Sequence, residues 1–183
     1  MSTQRLLVLG TTGSGKTTLA ATLAGRLGAP HIELDSLYWG PNWTPYPPEQ
    51  FRADVAAAVA GERWVMDGNY SQVRDLVWPR AQTVIWLDFP LTVVYPRLLR
   101  RTLGRWLRRE WLWQTNRERL RLQFTRDSLF LWAWTSSRRR RVEYPRLFQQ
   151  PEYAHLHILI FRSPRALARW LATEPFSAET RSL

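Results

Sequence analysis

The feature that most constrains this chain is the stretch at residues 10–17, "GTTGSGKT", which lies between two patterned segments. The apolar run "LLVL" before it predicts a buried strand, and leucines at helical spacing follow it. Glycine permits the tight turn that such a junction needs, and the backbone N–H groups at the start of a helix bind anions. The stretch therefore predicts a strand, a phosphate-binding loop and a helix in direct succession.

The same stretch matches the Walker A or P-loop pattern G-x-x-x-x-G-K-[ST] at every specified position. In that pattern the lysine contacts the β- and γ-phosphates, and the last hydroxyl binds Mg²⁺. Lys16 is the only lysine among the 26 basic side chains, which fits a site that needs a compact ammonium instead of a planar guanidinium. The predicted nucleotide-binding residues are Gly10, Thr12, Gly13, Ser14, Gly15, Lys16, Thr17 and Thr18, with ATP and Mg²⁺ as expected cofactors.

Apolar runs of strand length alternate with helix-like segments along the chain. The predicted strands cover residues 6–9, 30–35, 63–68, 82–89 and 155–161, and further helices cover 48–61 and 163–172. Largely apolar strands are typical of a parallel sheet that is covered on both faces. The alternation predicts an α/β fold with a doubly wound, parallel, five-stranded P-loop NTPase sheet.

Length and composition narrow the classes of protein further. A chain of 183 residues suits one domain, so residues 1–183 are predicted to form a single P-loop domain. Because cysteine is absent, disulfides and thiolate metal sites are excluded. The longest strongly apolar run, "LFLWAW", is far shorter than the roughly 20 residues that span a bilayer, and no signal-like segment opens the sequence. We therefore expect a cytoplasmic protein without a membrane partner.

The net charge of +11 comes from one part of the chain. Residues 97–146 carry 15 arginines and four acidic residues, while the remaining residues carry equal numbers of basic and acidic groups. Apolar residues recur at helical spacing here, so residues 91–141 are predicted to be mostly helical. The run "RRRR" at 138–141 is predicted to end a helix, where cations are favoured, and we expect its neutralisation to leave turnover nearly unchanged.

Three functions are compatible with the arginine-rich segment 97–146. As a lid over the triphosphate, it would bring arginines to the phosphoryl group during transfer, and its position after the fourth predicted strand favours this. As a nucleic-acid surface, arginine interleaved with tryptophan would supply phosphate contacts and stacking platforms. As a solvated face or an oligomer contact, it would bind no ligand.

Three aspartates follow apolar runs at the ends of predicted strands. Open α/β sheets bind ligands at the carboxyl edge of their strands, so Asp35, Asp67 and Asp88 are candidates for metal or acceptor contacts. Each also has a structural alternative. Asp35 would suit a helix cap before "SLYW", Asp67 a turn before glycine, and Asp88, before Phe-Pro, favours a structural role.

Several segments together resemble a known family. "GTTGSGKTTLA", "IELDSLYWGPNW", "WVMDGNYS", "VIWLDFPLTVVYPRLLRR" and "FRSPRALARWL" follow one another as in P-loop kinase-like proteins labelled DNA topology modulation proteins or adenylate kinase-like proteins. The resemblance covers most of the chain, and the P-loop is its most specific part. In the wider group of nucleoside monophosphate and shikimate kinases the strand order is 2-3-1-4-5, which places the third strand beside the P-loop strand and a helical lid at 97–146.

The resemblance also implies roles for the carboxylates. Asp67 matches the Walker-B acid, which would hold Mg²⁺ together with Thr17. Asp35 matches the acceptor-side acid of shikimate- and gluconate-type kinases. Asp88 then becomes a residue at a strand end, without a role in metal binding.

Basic residues are assigned by the same resemblance. Arg97 and Arg101 match the R-x-x-x-R of the helix that enters the lid, and Arg162 lies in "FRSP", the segment that packs along the nucleotide base. The chain departs from adenylate kinases where these read D-G-F-P-R, with an arginine that contacts the phosphate of the acceptor nucleotide. Here residues 67–71 read "DGNYS", and the nearest arginine is Arg74.

The sequence therefore predicts a phosphotransferase that uses Mg-ATP and a small acceptor, which is a nucleotide or another small metabolite. Lys16, Asp35, Arg97 and Arg101 are the predicted catalytic residues, while Thr17 and Asp67 are the predicted metal ligands. The alternative is a nucleotide-dependent protein that binds nucleic acid through residues 97–146 with little or no ATPase activity. The pattern of residues does not identify the acceptor or an oligomeric state.

Overall fold

The computed structural model describes residues 4–108, 111–112, 116–117 and 129–173. A parallel sheet is formed by β1 (Arg5–Gly10), β2 (His31–Glu33), β3 (Trp64–Asp67), β4 (Thr83–Leu87) and a last strand, His157–Phe161. Two short strands, β5 (Trp111–Leu112) and β6 (Asn116–Arg117), form a separate antiparallel pair, so the last strand of the sheet is β7. The order β2-β3-β1-β4-β7 confirms the predicted order 2-3-1-4-5.

Helices cover both faces of this sheet. They are α1 (Lys16–Leu27), α2 (Leu34–Tyr38), α3 (Pro48–Ala58), α4 (Arg74–Val77), α5 (Leu91–Arg108), α6 (Leu129–Phe148) and α7 (Pro164–Thr173). Short 3-10 turns lie at Pro41–Trp43, Ser71–Val73 and Pro151–Tyr153. None of the helices in the described part of the chain is long and apolar enough to cross a membrane.

Side chains of β1 alternate between two apolar layers, as the period of a strand requires. Leu7 and Leu9 face a layer that includes α3, α4 and α6, whereas Leu6 and Val8 face a layer with α1, the start of α5 and α7. All four leucine and valine side chains are at most 1% exposed. The doubly wound core therefore fixes β1 from both sides, and the loop that follows β1 starts from a rigid position.

Most of the described residues in the predicted helical segment 91–141 are helical. Helix α5 ends at Arg108 and α6 begins at Leu129, and the described residues between them form the β5–β6 pair. The backbone of β6 lies against the 3-10 turn Pro41–Trp43. Residues 118–128, which belong to the predicted lid, lie outside the described residues.

Two sequence-based predictions of local structure were wrong. The second strand ends at Glu33 instead of residue 35, because "LDSLY" forms α2, and Asp35 therefore lies in the first turn of that helix. The "RRRR" run lies in the interior of α6, which continues to Phe148 through Pro145. The periodic burial of Ala133, Arg140 and Tyr144 explains this, because packing of one helix face continues past the basic run.

Candidate active site

The loop between β1 and α1 has the shape of an anion-binding cradle. Ser14 N–H donates to Thr11 O at 3.0 Å, and Gly15, the N-cap of α1, has a φ of 93° that only glycine adopts without strain. Ser14 is 1% exposed, and its Oγ lies buried without a hydrogen-bond partner in the described structure. A buried hydroxyl without a partner inside a loop of backbone donors fits a phosphate ligand.

Behind the cradle, three polar side chains from different elements meet. Thr17 Oγ1 donates to Asp67 Oδ2 at 2.7 Å, and His31 Nε2 lies 2.8 Å from Asp67 Oδ1. Asp67 is 3% exposed. A carboxylate and a hydroxyl at the edge of a phosphate loop are oxygen donors of the kind that Mg²⁺ prefers, so Thr17 and Asp67 fit a magnesium site.

Sequence reasoning missed His31, although the strand order contains a signal for it. In the register of β2 with β3, His31 pairs with Val65 and Glu33 with Asp67, so His31 and Asp67 lie on the same face two positions apart. The polar neighbour of Asp67 therefore follows from placing β2 beside β3. The His31 imidazole contacts one oxygen of Asp67, while Thr17 contacts the other.

On the other side of the sheet edge, Asp35 is oriented by a tyrosine. Tyr70 Oη donates to Asp35 Oδ1 at 2.6 Å, and its ring packs against Tyr38 and Phe51 with centroid distances of 4.7 and 5.3 Å. Burial and the neighbouring Asp35 charge raise the pKa of Tyr70, which keeps its hydroxyl protonated and donating. Tyr70 thus holds one oxygen of Asp35, and the rings of Tyr38, Phe51 and Tyr70 pack together beside this contact.

The loop that follows α2 contains strained backbone. Asn42 and Trp43 have φ values of 57° and 60°, in the left-handed region that residues other than glycine rarely adopt. Trp43 packs edge-on against Trp39, with ring centroids 5.8 Å apart. Strained backbone of this kind often lies at ligand sites, and β6 of the insertion approaches this same turn.

Two predicted arginines reach the P-loop from α5. Arg97 Nη1 donates to Ser14 O at 3.2 Å, and Arg101 Nη2 donates to Thr12 Oγ1 at 3.2 Å. Arg97 also lies over the Phe89 ring, 5.5 Å from its centroid. Their spacing of four residues places both on one helix face, so α5 presents two guanidinium groups to the phosphate cradle.

The other predicted residues lie apart from this group. Arg162 is exposed directly after β7, and β4 separates that strand from β1. Asp88 donates from its N–H to Phe161 O at 2.9 Å and accepts from Arg141 Nε at 2.6 Å. These contacts join β4 to β7 and to α6, which agrees with a structural role for Asp88.

The "RRRR" run is not a uniform basic surface. Arg140 is 3% exposed, and burial lowers the pKa of its guanidinium, whereas Arg141 pairs with Asp88. Neutralising residues 138–141 together would therefore remove a buried side chain and an ion pair, while its effect on turnover stays a prediction. Arg138, stacked over the Trp134 ring at 4.9 Å, is exposed.

Comparisons with known proteins test the fold. Similar solved structures include a gluconokinase from Sinorhizobium meliloti 1021, with 18% identity, coverage of 91% of this chain and 87% of that chain, and a TM-score of 0.53. A shikimate kinase from Bacteroides thetaiotaomicron has 20% identity, coverage of 87% and 86%, and a TM-score of 0.51. A sugar kinase from Janibacter sp. HTCC2649 has 18% identity, coverage of 97% and 99%, and a TM-score of 0.52.

The chain has a P-loop kinase-like fold. At these identities the likeness extends to the fold alone. No family model and no curated protein sequence matches the chain.

Proposed function

We propose that this protein is a phosphotransferase that uses Mg-ATP and a small acceptor. The observation that carries the proposal is the hydrogen bond from Thr17 to Asp67, 2.7 Å long, directly behind a glycine-rich phosphate cradle. A hydroxyl and a carboxylate beside a phosphate loop support a metal site of the kind that P-loop proteins use. The kinase-like fold supports the same class of reaction.

Each residue of the site has a part in this proposal. Lys16 and the loop N–H groups bind the β- and γ-phosphates, and Thr17 with Asp67 holds Mg²⁺, which neutralises phosphate charge when it is bound. Asp35 orients the acceptor hydroxyl or accepts its proton. Arg97 and Arg101 stabilise the charge that develops on the phosphoryl oxygens during transfer.

The acceptor is proposed to lie between Asp35 and the P-loop. A small cavity next to Tyr70 is lined by apolar residues and by the polar side chains of Asn69, Tyr70, Arg74 and Tyr144, and neither Asp35 nor a P-loop residue lines it. Arg74 Nη2 donates to Glu143 Oε1 at 2.7 Å, so this arginine is already paired. The arrangement differs from the adenylate kinase D-G-F-P-R motif, so we propose a small metabolite or a nucleotide other than AMP as acceptor.

The experiment is a transfer assay with γ-labelled ATP and Mg²⁺ against a panel of small hydroxyl and phosphate compounds. Wild type is expected to label at least one acceptor, and Lys16→Ala is expected to label none. Labelling by both proteins at equal rates, or by neither, would contradict the proposal.

A second candidate is nucleic-acid binding through α6. Trp132 and Trp134 are 46% and 42% exposed, and Arg140 and Arg138 lie over their rings at 5.2 and 4.9 Å. Exposed tryptophan beside arginine is typical of surfaces that stack bases and contact phosphates. The resemblance to DNA topology modulation proteins points to the same candidate, which a salt titration of oligonucleotide affinity tests.

A further inference from the structure

The side chain of Asn69 forms two hydrogen bonds with the backbone of Gly10, the first residue of the P-loop. Gly10 N–H donates to Asn69 Oδ1 at 3.1 Å, and Asn69 Nδ2 donates to Gly10 O at 2.6 Å. The β1–β3 ladder ends just before, with Val8 opposite Asp67 and a long bond of 3.4 Å from Gly68 N–H to Val8 O. Asn69 therefore continues the pairing between these strands after their backbones separate.

Gly10 is tightly enclosed, so its position determines where the loop begins. A Cβ atom on Gly10 would lie 2.5 Å from Ser14 Oγ and 3.2 Å from Leu87 Cβ. Ser14 is the P-loop residue whose hydroxyl lies buried without a hydrogen-bond partner among the described residues. A shift of Gly10 would consequently move the phosphate-binding residue that it touches.

A third hydrogen bond links Asn69 to the insertion. Tyr144 of α6 donates its hydroxyl to Asn69 Oδ1 at 3.3 Å. Tyr144 is 3% exposed and packs against Trp78 and Trp86 with ring centroids 5.9 and 5.2 Å apart. Burial raises the pKa of Tyr144, so its hydroxyl remains a donor to Asn69.

The residue after Asn69 is Tyr70, whose hydroxyl donates to Asp35, the residue of the proposed acceptor side. Asn69 thus contacts the start of the P-loop and Tyr144 of α6, and its chain neighbour contacts Asp35. We propose that Asn69 is a positioning residue that couples these three parts, so that affinity for Mg-ATP depends on the hydrogen bond between Tyr144 and Asn69. The role of Asn69 in catalysis rests on the proposed function.

The physical basis is that Gly10 has buried backbone groups that need partners. A variant without the amide leaves a donor and an acceptor unpaired, and the loop start then adopts positions other than the one that fits phosphate. Coupling between sites is reciprocal, so an acceptor beside Asp35 that shifts Asn69 would change nucleotide affinity by the same factor as nucleotide changes affinity for that acceptor.

The test measures the Kd of Mg-ATP by calorimetry for a double-mutant cycle. Asn69→Leu keeps the side-chain volume without hydrogen bonds and is expected to weaken binding about tenfold, the factor that corresponds to 1.4 kcal/mol. Tyr144→Phe removes one hydroxyl and is expected to weaken binding roughly threefold, since it removes only one neutral hydrogen bond. The double variant is expected to equal Asn69→Leu, because Tyr144 acts through Asn69.

Tyr153→Phe is the matched control. Tyr153 is a buried tyrosine that packs against the same Trp78, with ring centroids 5.0 Å apart, and it has no contact with Asn69 among the hydrogen bonds of the described residues. Its variant is expected to leave the Kd of Mg-ATP unchanged. A weakening equal to that of Tyr144→Phe would overturn the inference.

Thermal midpoints of the apo proteins separate positioning from stability. A lower midpoint with an unchanged Kd in Asn69→Leu and Tyr144→Phe would overturn the inference, as would additive effects in the double variant. If Asn69→Leu does not fold, the comparison of the Kd of Tyr144→Phe with that of Tyr153→Phe tests the inference.

Wild type that binds no Mg-ATP would refute the proposed function and this inference together. Wild type that binds but transfers nothing, with the expected pattern of Kd values, would refute only the proposed function.

Discussion

Arg141 donates from Nε to Asp88 Oδ1 at 2.6 Å, and this contact ties the interior of α6 to the end of β4. Asp88 is 12% exposed and Arg141 is 44% exposed. Two residues further along α6, Glu143 accepts from Arg74 at 2.7 Å. These contacts tie the C-terminal half of α6 to the body of the protein, so the proposed lid, if it closes, would have to hinge before these residues.

We predict that Arg141→Ala lowers the free energy of unfolding by about 1 kcal/mol, because it leaves the largely buried Asp88 without its ionic partner. For a chain of this size, that change corresponds to roughly 2–4 °C in the thermal midpoint. Arg138→Ala, an exposed position in the same run, serves as the control and is expected to leave the midpoint within about 1 °C. Equal midpoints for the two variants would show that the ion pair does not fix α6.

Lys16 provides the test of nucleotide binding. Mg-ATP at a hundred times its Kd is expected to add about 2.7 kcal/mol to the stability of wild type. Lys16→Ala is expected to remove most of this gain and to leave the apo midpoint unchanged, since the side chain is only partly buried. Lys16→Arg is predicted to recover little, because a planar guanidinium replaces a compact ammonium. Equal stabilisation of wild type and Lys16→Ala by Mg-ATP would refute the P-loop assignment.

Asp67 and Asp88 are predicted to respond differently to loss of charge. Asp67→Asn is expected to raise the Mg²⁺ concentration that gives half-maximal turnover about tenfold or more, since one of the two proposed metal ligands loses its charge. Asp88→Asn, whose carboxylate pairs with Arg141, is expected to lower stability without changing the Mg²⁺ requirement. A magnesium titration of turnover in both variants measures this. A larger shift for Asp88→Asn would contradict the assignment of the metal site.

The sequence predicted the sheet because its strands are apolar on both faces and its P-loop fixes the first strand–helix junction. The order of the strands came from resemblance, and the structure has the same order. The ends of elements were less predictable. Asp35 follows an apolar run but lies in α2, because a strand only three residues long gives way to a helix whose Leu34 fills the core.

The side-chain partners could not be predicted from spacing alone. His31, Asn69 and Tyr144 are separated by tens of residues along the chain, and their contacts follow from tertiary packing. Likewise, nothing in "RRRR" distinguishes the buried Arg140 from the exposed Arg138, because only the packing of α6 decides which face is covered. Sequence patterns therefore predicted the strand–loop–helix junction of the P-loop, whereas the contacts around Asp35 and Asp67 depend on the packing of distant segments.

Tyr70 is predicted to act through Asp35. Tyr70→Phe removes the hydroxyl that holds Asp35 Oδ1 and is expected to lower the transfer rate about tenfold, since hydrogen bonds to charged groups contribute about 1.5–3 kcal/mol. The Kd of Mg-ATP is expected to remain unchanged. Tyr38→Phe, whose ring packs 4.7 Å from that of Tyr70, is the control and is expected to keep its rate. A rate for Tyr70→Phe equal to wild type would show that this contact does not orient the acceptor side.

The last prediction distinguishes the lid from a nucleic-acid surface. If Arg97 and Arg101 stabilise charge that develops during transfer, Arg97→Ala and Arg101→Ala should each lower kcat at least tenfold while changing the Kd of Mg-ATP less. Arg100→Ala, on the same helix and exposed, is the matched control and should leave both values near wild type. A fall in ATP affinity with an unchanged kcat would place these arginines in ground-state binding instead.

A nucleic-acid surface predicts a different set of effects. Single-stranded oligonucleotide affinity would then fall with salt, with a log–log slope of about −0.7 for each phosphate contact. Neutralising Arg138 and Arg139 together, both exposed, would flatten that slope by about 1.4 if both contact phosphate, without the loss of stability expected for Arg141. We expect no such binding at about 150 mM salt, because three arginines of the insertion already contact the P-loop or Asp88. Affinity that persists at that salt and falls in the double variant would favour the nucleic-acid function over the lid.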